Sequence, residues 1–152
     1  MKRLNLPEYS FRTIGEEGSQ VIFDRIRKRY VKLTQEEWVR QNFIMYLIQA
    51  GGYPPGLMKV ESFFRHNRLE KRIDILIHNR KGEPVMIVEC KKPDDEFDEK
   101  AFEQIATYNI RFRVPYLVVT NGYRHFACKI TDYEQGRFDY LNYIPLYADL
   151  LN

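Results

Sequence analysis

Two β-strands are predicted by the segments Arg72-Ile-Asp-Ile-Leu-Ile-His78 and Val85-Met-Ile-Val-Glu-Cys-Lys-Lys-Pro93. In the first segment isoleucine occupies every second position, which is typical of a strand with one buried face. In the second, residues 85–88 are all apolar, which indicates a central strand buried on both faces. Asn79-Arg-Lys-Gly82 supplies a hairpin turn between them. The two strands are therefore predicted to be neighbours in one sheet.

Charged residues lie near the start of the first strand, at Asp74, and near the end of the second, at Glu89 and Lys91. Side chains alternate faces along a strand, so Glu89 and Lys91 point to one side and Cys90 to the other. Asp74, on the preceding strand, can join the first pair. Two adjacent carboxylates repel unless a divalent cation neutralises them. Mg²⁺ fits because it prefers hard oxygen ligands, and the Cys90 carbonyl could supply a third oxygen beside the two carboxylates. Beside such an ion Lys91 would orient a water or stabilise charge on a phosphate. On spacing alone, an ordinary ion pair at the end of a surface hairpin is an equal alternative.

A helix and a further strand are predicted before these two strands. Thr34-Gln-Glu-Glu37 has the spacing of a capping box, and apolar residues at helical spacing follow it until Gly51 ends the helix. Leu57 to Arg65 is then predicted as a strand. With the strands at Arg72 to His78 and Pro84 to Lys91, it would form a three-stranded meander.

A second helix and two more strands are predicted after the meander. The acidic run Asp94-Asp-Glu-Phe-Asp-Glu99 leads into a helix that extends to about Arg113. Acidic residues at a helix start compensate the helix dipole, and this interpretation is favoured over a second metal site. Pro115 to Thr120 is predicted as a buried strand, and Tyr123 to Ile130 as its partner across Asn121-Gly122. The predicted order is α-β-β-β-α-β, with additions.

A single domain is predicted for residues 1–152. Of the 152 residues, 44% are hydrophobic, which is enough for one well-packed core. Residues 1–20 hold scattered apolar residues, Pro7 and two glycines, which suggests an irregular arm or short strand packed on the domain; residues 131–152 form a C-terminal extension. No segment approaches the roughly 20 consecutive apolar residues of a membrane span, and Met1-Lys-Arg-Leu-Asn-Leu-Pro7 lacks the apolar stretch of a signal peptide. We therefore expect a cytoplasmic protein.

The cysteine, histidine and charge patterns limit the other kinds of site. Cys90 and Cys128 are far apart in apolar runs and are interpreted as reduced core residues, and the three histidines are isolated, so no zinc site is predicted. The net charge of +3 and the pI of about 8.8 permit nucleic-acid binding. Basic groups within residues 25–32 and 65–72 could contact phosphates, although for any one of these residues a solvated surface position is favoured.

The core residues resemble those of a known superfamily. Asp74, fourteen further residues and Glu89-Cys90-Lys91 resemble the D-x(n)-E-x-K core of the PD-(D/E)xK nucleases. The wider sequence, roughly from Phe23 to Ile130, is similar to the N-terminal domain of type I restriction enzyme R subunits. Three further segments carry this similarity: Leu33–Gln41, Gln104–Tyr108 and Pro115–Gly122. Ile73 stands where the superfamily has its eponymous proline. The chain contains no G-x-x-x-x-G-K-[ST] phosphate loop, so the resemblance does not imply the translocation and ATP hydrolysis of R subunits for this chain.

The resemblance implies a fold, an activity and a set of roles. The fold is α/β, with a restriction-endonuclease-like αβββαβ core whose mixed central sheet is flanked by helices. The activity is Mg²⁺-dependent hydrolysis of DNA phosphodiester bonds to 5′-phosphate and 3′-hydroxyl ends, with Mn²⁺ as a substitute metal. Asp74 and Glu89 would ligate the metal together with the Cys90 carbonyl. Lys91 would position or activate the attacking water.

Three residues outside the central trio also match the resemblance. Glu37 falls where related nucleases carry an acidic residue on the first helix, so it either reaches the metal or caps the helix at Thr34, and both readings stay open. Gln104 and Tyr108 are four residues apart and share a helical face, similar to the Q-x-x-x-Y element that is implicated in nuclease activity in the R subunits. Core packing is the alternative for Tyr108 because apolar residues lie beside it.

Two other functions remain open. One is a non-catalytic nucleic-acid-binding or interaction module of a restriction or defence complex, which would fold without binding metal. The other is a nuclease for nicks, flaps or single strands, since a fold does not fix a substrate. DNA is the ligand that the resemblance implies. No basic helix-turn-helix or base-contacting array is present in the sequence, so sequence specificity is expected to come from partners such as motor or specificity subunits. A homodimer would place two sites for a double-strand cut, but the sequence does not require one.

Overall fold

The computed structural model describes residues 1–151. Within them the strands and helices are, in chain order, β1 Thr13–Ile14, β2 Val21–Asp24, β3 Arg29–Lys32, α1 Gln35–Gln49, β4 Met58–His66, β5 Leu69–His78, β6 Pro84–Cys90, α2 Glu99–Asn109, β7 Tyr116–Thr120, β8 His125–Asp132 and β9 Arg137–Leu141. Short 3-10 turns occupy Pro55–Leu57, Ile110–Phe112 and Tyr147–Leu151. The run from α1 to β7 has the order α-β-β-β-α-β, which confirms the predicted α/β fold.

The central sheet is mixed. Its strands lie in the order β4-β5-β6-β7-β8-β9, so β4 and β9 are the edges. Neighbours run antiparallel except β6 and β7, which are parallel because α2 forms the crossover between them. Strands β1, β2 and β3 form a separate small antiparallel sheet.

One helix covers each face of the central sheet. The cluster on the side of α1 includes Val39, Phe43, Leu47, Ile75 and Val88. The cluster on the side of α2 includes Leu76, Ile87, Phe102, Ala106 and Leu117. Strands β5 and β6 are therefore covered on both sides. Charged side chains on them can reach solvent only near the strand ends.

The structure differs from the sequence prediction at several elements. Strands β2, β3 and β9 are not predicted from the sequence, because each is only four or five residues long; β2 buries Ile22, β3 buries only Val31, and β9 has no fully buried side chain. Strand β5 begins at Leu69 rather than Arg72, because Leu69 to Arg72 pair with residues 63–66 at the tip of the hairpin. Helix α2 ends at Asn109, and a 3-10 turn carries the chain on to Phe112.

The first residues pack as an arm on the domain. Leu4 is buried in the core on the α1 side, and the N–H of Asn5 donates to the carbonyl of Gly122 at 2.8 Å. The Trp38 indole N–H donates to the carbonyl of Lys2 at 2.7 Å. Gly122 has a φ of 91°, and a Cβ there would lie 2.7 Å from a Leu4 methyl carbon, so this contact requires glycine.

The remaining predictions concern cysteines and membrane spans. Cys90 and Cys128 are both free and buried, as predicted. Across residues 1–151, every helix is too short or too polar to pass through a bilayer.

Candidate active site

Asp74 joins β5 to β6 at the end of their shared ladder. The backbone ladder extends to the pair Ile75 and Val88. At the next position the Asp74 side chain continues the connection, because its Oδ2 accepts a hydrogen bond from the backbone N–H of Cys90 at 2.8 Å. Asp74 is thereby fixed between the two strands, across from Glu89.

Glu89 is buried on the side of α2. Its Oε1 accepts a hydrogen bond from the Asn109 amide at 3.0 Å and forms an ion pair with the Lys71 ammonium. Asn109 is itself held by the carbonyl of Ile105 at 2.8 Å. A buried carboxylate is stable only when paired or hydrogen-bonded, and Lys71 and Asn109 meet that need.

Three carboxylates meet on the other side of Asp74. Glu36 on α1, Glu61 on β4 and Asp74 each offer an oxygen that lies within 4.8 Å of the others. Glu61 has a φ of 53°, which is strained for a residue with a side chain, and this local distortion of β4 accompanies its position beside Asp74. The acidic cluster Glu36, Glu61 and Asp74 is thus built from one helix and two adjacent strands.

The Arg40 guanidinium lies at the centre of this acidic cluster. Its Nη2 is 2.6 Å from Asp74 Oδ1 and 3.3 Å from Glu36 Oε1, and it also pairs with Glu61. Burial by itself would lower the pKa of Arg40, but the hydrogen bond and charge of Asp74, with the charge of Glu37, raise it above its ordinary value. Arg40 is therefore a permanent cation at this position.

Glu37 is buried next to the acidic cluster and does not join it. Its Oε1 accepts from Arg40 Nη1 at 2.7 Å and from Arg27 Nη2 at 2.8 Å, and its Oε2 accepts from Gln41 at 3.0 Å. Its backbone N–H donates to the Thr34 hydroxyl at 3.0 Å, so half of the predicted capping box forms. The carboxylate of Glu37 braces Arg40, and Glu36 is the residue of α1 that reaches Asp74.

Lys91 lies directly after β6. Its backbone N–H donates to the carbonyl of Thr120 on β7 at 2.8 Å, which fixes the chain as it leaves the sheet. Burial raises the pKa of the Glu36 carboxyl, the charge of Asp74 raises it further, and Lys91 opposes the rise. The Lys91 ammonium therefore acts electrostatically on the acidic cluster.

The Cys90 side chain plays a different part from its backbone. Burial raises the pKa of the Cys90 thiol well above its ordinary value, and the charge of Asp74 adds to the rise. A neutral buried thiol is a poor ligand for a hard cation. Only the carbonyl of Cys90 is suited to the ligand role that the resemblance implies.

Gln104 and Tyr108 both lie on the exposed face of α2. Tyr108 is 41% exposed, so the alternative that it packs in the core is wrong. Its ring centroid is 5.0 Å from Lys71 Nζ and 5.6 Å from the Arg111 guanidinium carbon. Lys71 also pairs with Glu89, so Tyr108 and the buried Glu89 carboxylate contact the same lysine. Gln104 lies one helical turn before Tyr108.

Several residues of this region are not predicted from the sequence: Glu36, Arg40, Glu61, Lys71 and Asn109. The spacing of Glu36 and Arg40 is that of a helical i, i+4 pair, which is a visible signal for part of this network. Lys71 lies three residues before Asp74 in a run of basic residues, where nothing marks it as a partner of Glu89.

The donor set of the acidic cluster fits a hard divalent cation. Carboxylate oxygens are the ligands that Mg²⁺ and Mn²⁺ prefer, and a magnesium site usually needs only one or two protein carboxylates. The cluster already accommodates one cationic group, the Arg40 guanidinium, among its three carboxylates. Asp74 contacts Arg40 on the side of α1, whereas the Glu89 carboxylate is held on the side of α2 by Asn109 and Lys71 and is not part of the acidic cluster.

Comparison with known proteins identifies a family. The search of curated proteins gives no match. The family model described as the type I restriction enzyme R protein N terminus matches residues 35–145, from the start of α1 to the segment after β9. This range contains Asp74, Glu89, Lys91, Gln104 and Tyr108. The chain therefore belongs to the type I restriction enzyme R protein N-terminal family, and it is a nuclease-related domain of a restriction system.

Proposed function

We propose that this domain is a divalent-metal-dependent DNA endonuclease that hydrolyses phosphodiester bonds with water. The observation that carries the proposal is the position of Asp74, which is fixed by the Cys90 N–H at 2.8 Å and shares an acidic cluster with Glu36 and Glu61. Family membership supports nuclease chemistry, and the carboxylate donor set supports Mg²⁺, with Mn²⁺ as a substitute.

The proposed metal ligands are carboxylates on both sides of β5. Asp74 is the central ligand, with Glu89 opposite it and the Cys90 carbonyl as a further oxygen. Glu36 takes the place that the resemblance implies for an acid on the first helix. Glu37 is not a ligand in this proposal and instead holds Arg40, which contacts Asp74. A bound divalent ion would polarise the phosphate and lower the pKa of a bound water.

The protein residues have separate roles in this proposal. Lys91 donates hydrogen bonds that orient the attacking water and offset negative charge on the phosphate. Asp74 and Glu89 hold the reacting centre at the strand ends, which keeps the geometry rigid because both strands are buried. Tyr108 and Gln104 flank the site on α2 and hold DNA beside it.

The proposed setting is a restriction system. Residues 1–152 would act as one nuclease domain, with motor and specificity subunits supplying translocation and the choice of DNA sequence. Two copies would be needed for simultaneous cuts in both strands, so a homodimer forming on DNA is part of the proposal.

A second candidate function is a metal-free binding module. It is favoured by one observation: Asp74 is hydrogen-bonded to Arg40 at 2.6 Å, and Glu89 is paired with Lys71. Each carboxylate thus has an internal cation that satisfies it without metal. A domain of this kind would fold and bind DNA but would neither bind Mn²⁺ nor cut.

Plasmid cleavage by carboxylate variants tests the proposal. Supercoiled plasmid is incubated with the wild type, Asp74→Asn and Asp139→Asn in Mg²⁺, in Mn²⁺ and in EDTA. Asp139 is an exposed carboxylate on the far edge strand and serves as the matched control. We expect cutting by the wild type and Asp139→Asn in either metal, cutting by none of the proteins in EDTA, and at least about a 100-fold loss in Asp74→Asn. Equal cutting by Asp74→Asn would contradict the assignment.

A further inference from the structure

Phe63 is an unusual aromatic residue for its position. It is 63% exposed, and among residues 1–151 it is the one exposed phenylalanine. Arg72 is its partner across β4 and β5, and the guanidinium carbon lies 5.0 Å from the ring centroid. The side chain of Arg72 is itself 59% exposed. An aromatic ring and a guanidinium plane, both open to solvent, are the two kinds of side chain on which nucleobases stack.

The Phe63–Arg72 pair lies beside the acidic cluster. Arg72 Nη1 is 3.4 Å from Glu61 Oε2, and Glu61 shares the cluster with Asp74. Phe63 is two residues from Glu61 along β4, and Arg72 is two residues from Asp74 along β5. Two residues of a strand span about 7 Å. The pair is therefore next to the proposed cleavage centre and on the same side of the sheet.

The hairpin that carries the pair is basic. Residues 59–72 contain five lysines and arginines against two glutamates, and both glutamates are already paired with arginines. Arg65 at the tip of the hairpin has a side chain that is 72% exposed. This charge complements a phosphate backbone running along the hairpin. A basic or purely apolar partner surface would match it less well.

We propose that Phe63 and Arg72 form a subsite for one unpaired nucleotide next to the scissile phosphate, so that the domain binds a base that is single-stranded or extruded from the duplex. The base stacks on Phe63 and the Arg72 plane, and its phosphate is bound by the basic hairpin. A base inside a duplex is stacked on its neighbours and cannot make this contact without being extruded. This inference rests on the proposed function, because the subsite is defined by its position beside Asp74.

Binding without metal tests the subsite separately from cleavage. Fluorescence anisotropy is measured in EDTA with a fluorescein-labelled dT 12-mer and with a 12-base-pair duplex. We expect the wild type to bind the single strand more tightly than the duplex. Phe63→Ala should weaken single-strand binding about 10-fold and leave duplex binding unchanged, whereas Phe63→Trp should retain it. Arg72→Gln should also weaken single-strand binding, because it removes the guanidinium plane on which the base stacks.

The control is Tyr143→Ala. Tyr143 is 65% exposed and follows β9, the opposite edge of the sheet, so its loss should leave binding unchanged. Thermal melts check that all variants remain folded. Equal single-strand affinity in the wild type and Phe63→Ala would overturn the subsite, even if plasmid cutting depends on Asp74, and would leave the exposed pair as a contact for a protein subunit. Phe63-dependent single-strand binding by a protein that cuts no DNA would uphold the subsite and contradict the proposed nuclease instead.

Discussion

At the scale of single residues, Arg40 links the acidic groups of the site. Its side chain is 4% exposed and contacts Glu36, Glu37, Glu61 and Asp74. Within residues 1–151 its Nε has no hydrogen-bond partner, so the guanidinium is held by its outer nitrogens alone. Removing this cation would leave Glu36 and Asp74 close together without the arginine that pairs with both.

Arg40→Met should therefore destabilise the protein. Removing one partner of a buried ion pair costs about 3 kcal/mol or more, because the remaining charges are left uncompensated. Millimolar Mg²⁺ should restore part of this loss if the acidic cluster binds the ion. Urea unfolding with and without Mg²⁺ measures both effects, and Arg80→Met, at an exposed turn position, is the control. Failure of Mg²⁺ to stabilise Arg40→Met would contradict metal binding at the cluster.

The raised pKa of Glu36 fixes the direction in which this residue makes the stability of the protein depend on pH. Burial and the charge of Asp74 raise the pKa of its carboxyl in the folded protein, so the ionised form is less favourable folded than unfolded. The resulting loss of stability is present above the raised pKa and disappears as the pH falls through it. Glu36→Gln should thus be more stable than the wild type at pH 7 and equal to it near pH 3. Since the side chain is 40% exposed, we expect a gain of about 0.5 kcal/mol.

Melting temperatures at both pH values test this prediction. Glu96→Gln changes an exposed glutamate of the acidic run before α2 and should have no such pH-dependent effect. A stability difference for Glu36→Gln that is larger at pH 3 than at pH 7 would show that the sign is wrong.

Individual site residues differ in how far sequence predicts them. The relation between Glu89 and Cys90 follows from strand alternation: Glu89 lies toward α2, and Cys90 belongs to the core on the side of α1. No sequence pattern of this kind shows which of Glu36 and Glu37 reaches Asp74. Capping spacing favours Glu37, but the partners that decide the matter, Arg27 and Asp74, come from distant parts of the chain. Such contacts depend on tertiary packing, which no local pattern contains.

At the scale of elements, the best-predicted pieces are those with strong local signals. Helix α1 begins after Thr34 and ends near Gly51, as its cap and glycines predict. Strands β2, β3 and β9 are only four or five residues long, too short for a clear alternation, so their pairing depends on neighbours rather than on their own pattern. The junction of β5 and β6 at Asp74 is likewise invisible in sequence, since hydrophobic alternation does not show where a ladder stops.

The start of α2 provides an element-scale prediction. The Asp98 side chain accepts a hydrogen bond from the Ala101 N–H at 2.9 Å, so it is the N-cap of the helix. Asp98→Ala should cost about 1 kcal/mol of unfolding free energy. Urea denaturation measures the cost, with Glu96→Ala as an exposed acidic control in the same run. Equal losses in the two variants would indicate that general charge compensation, rather than the cap, supports α2.

At the scale of the whole molecule, the N-terminal arm connects α1 to the turn between β7 and β8. Leu4 is 8% exposed in the main core and lies against Gly122. Leu4→Ala should destabilise the protein by about 2 kcal/mol, since it removes buried methyl groups. Leu146→Ala, at a residue that is 50% exposed, should cost far less. Thermal unfolding compares the two, and similar melting temperatures would mean that the arm does not contribute to the core.

The central claim is that the residues around Asp74 catalyse hydrolysis, and Lys91 tests it most directly. Lys91 is assigned a role in orienting water, whereas Lys81 is an exposed lysine in the turn between β5 and β6 and serves as the control. Plasmid cleavage in Mg²⁺ and Mn²⁺ is compared for the wild type, Lys91→Ala and Lys81→Ala, with Mn²⁺ binding measured by calorimetry on the same samples. We predict that Lys91→Ala binds Mn²⁺ but cuts at least about 100-fold more slowly, while Lys81→Ala cuts like the wild type. Undiminished cutting by Lys91→Ala, or a wild type that neither binds Mn²⁺ nor cuts, would contradict the claim.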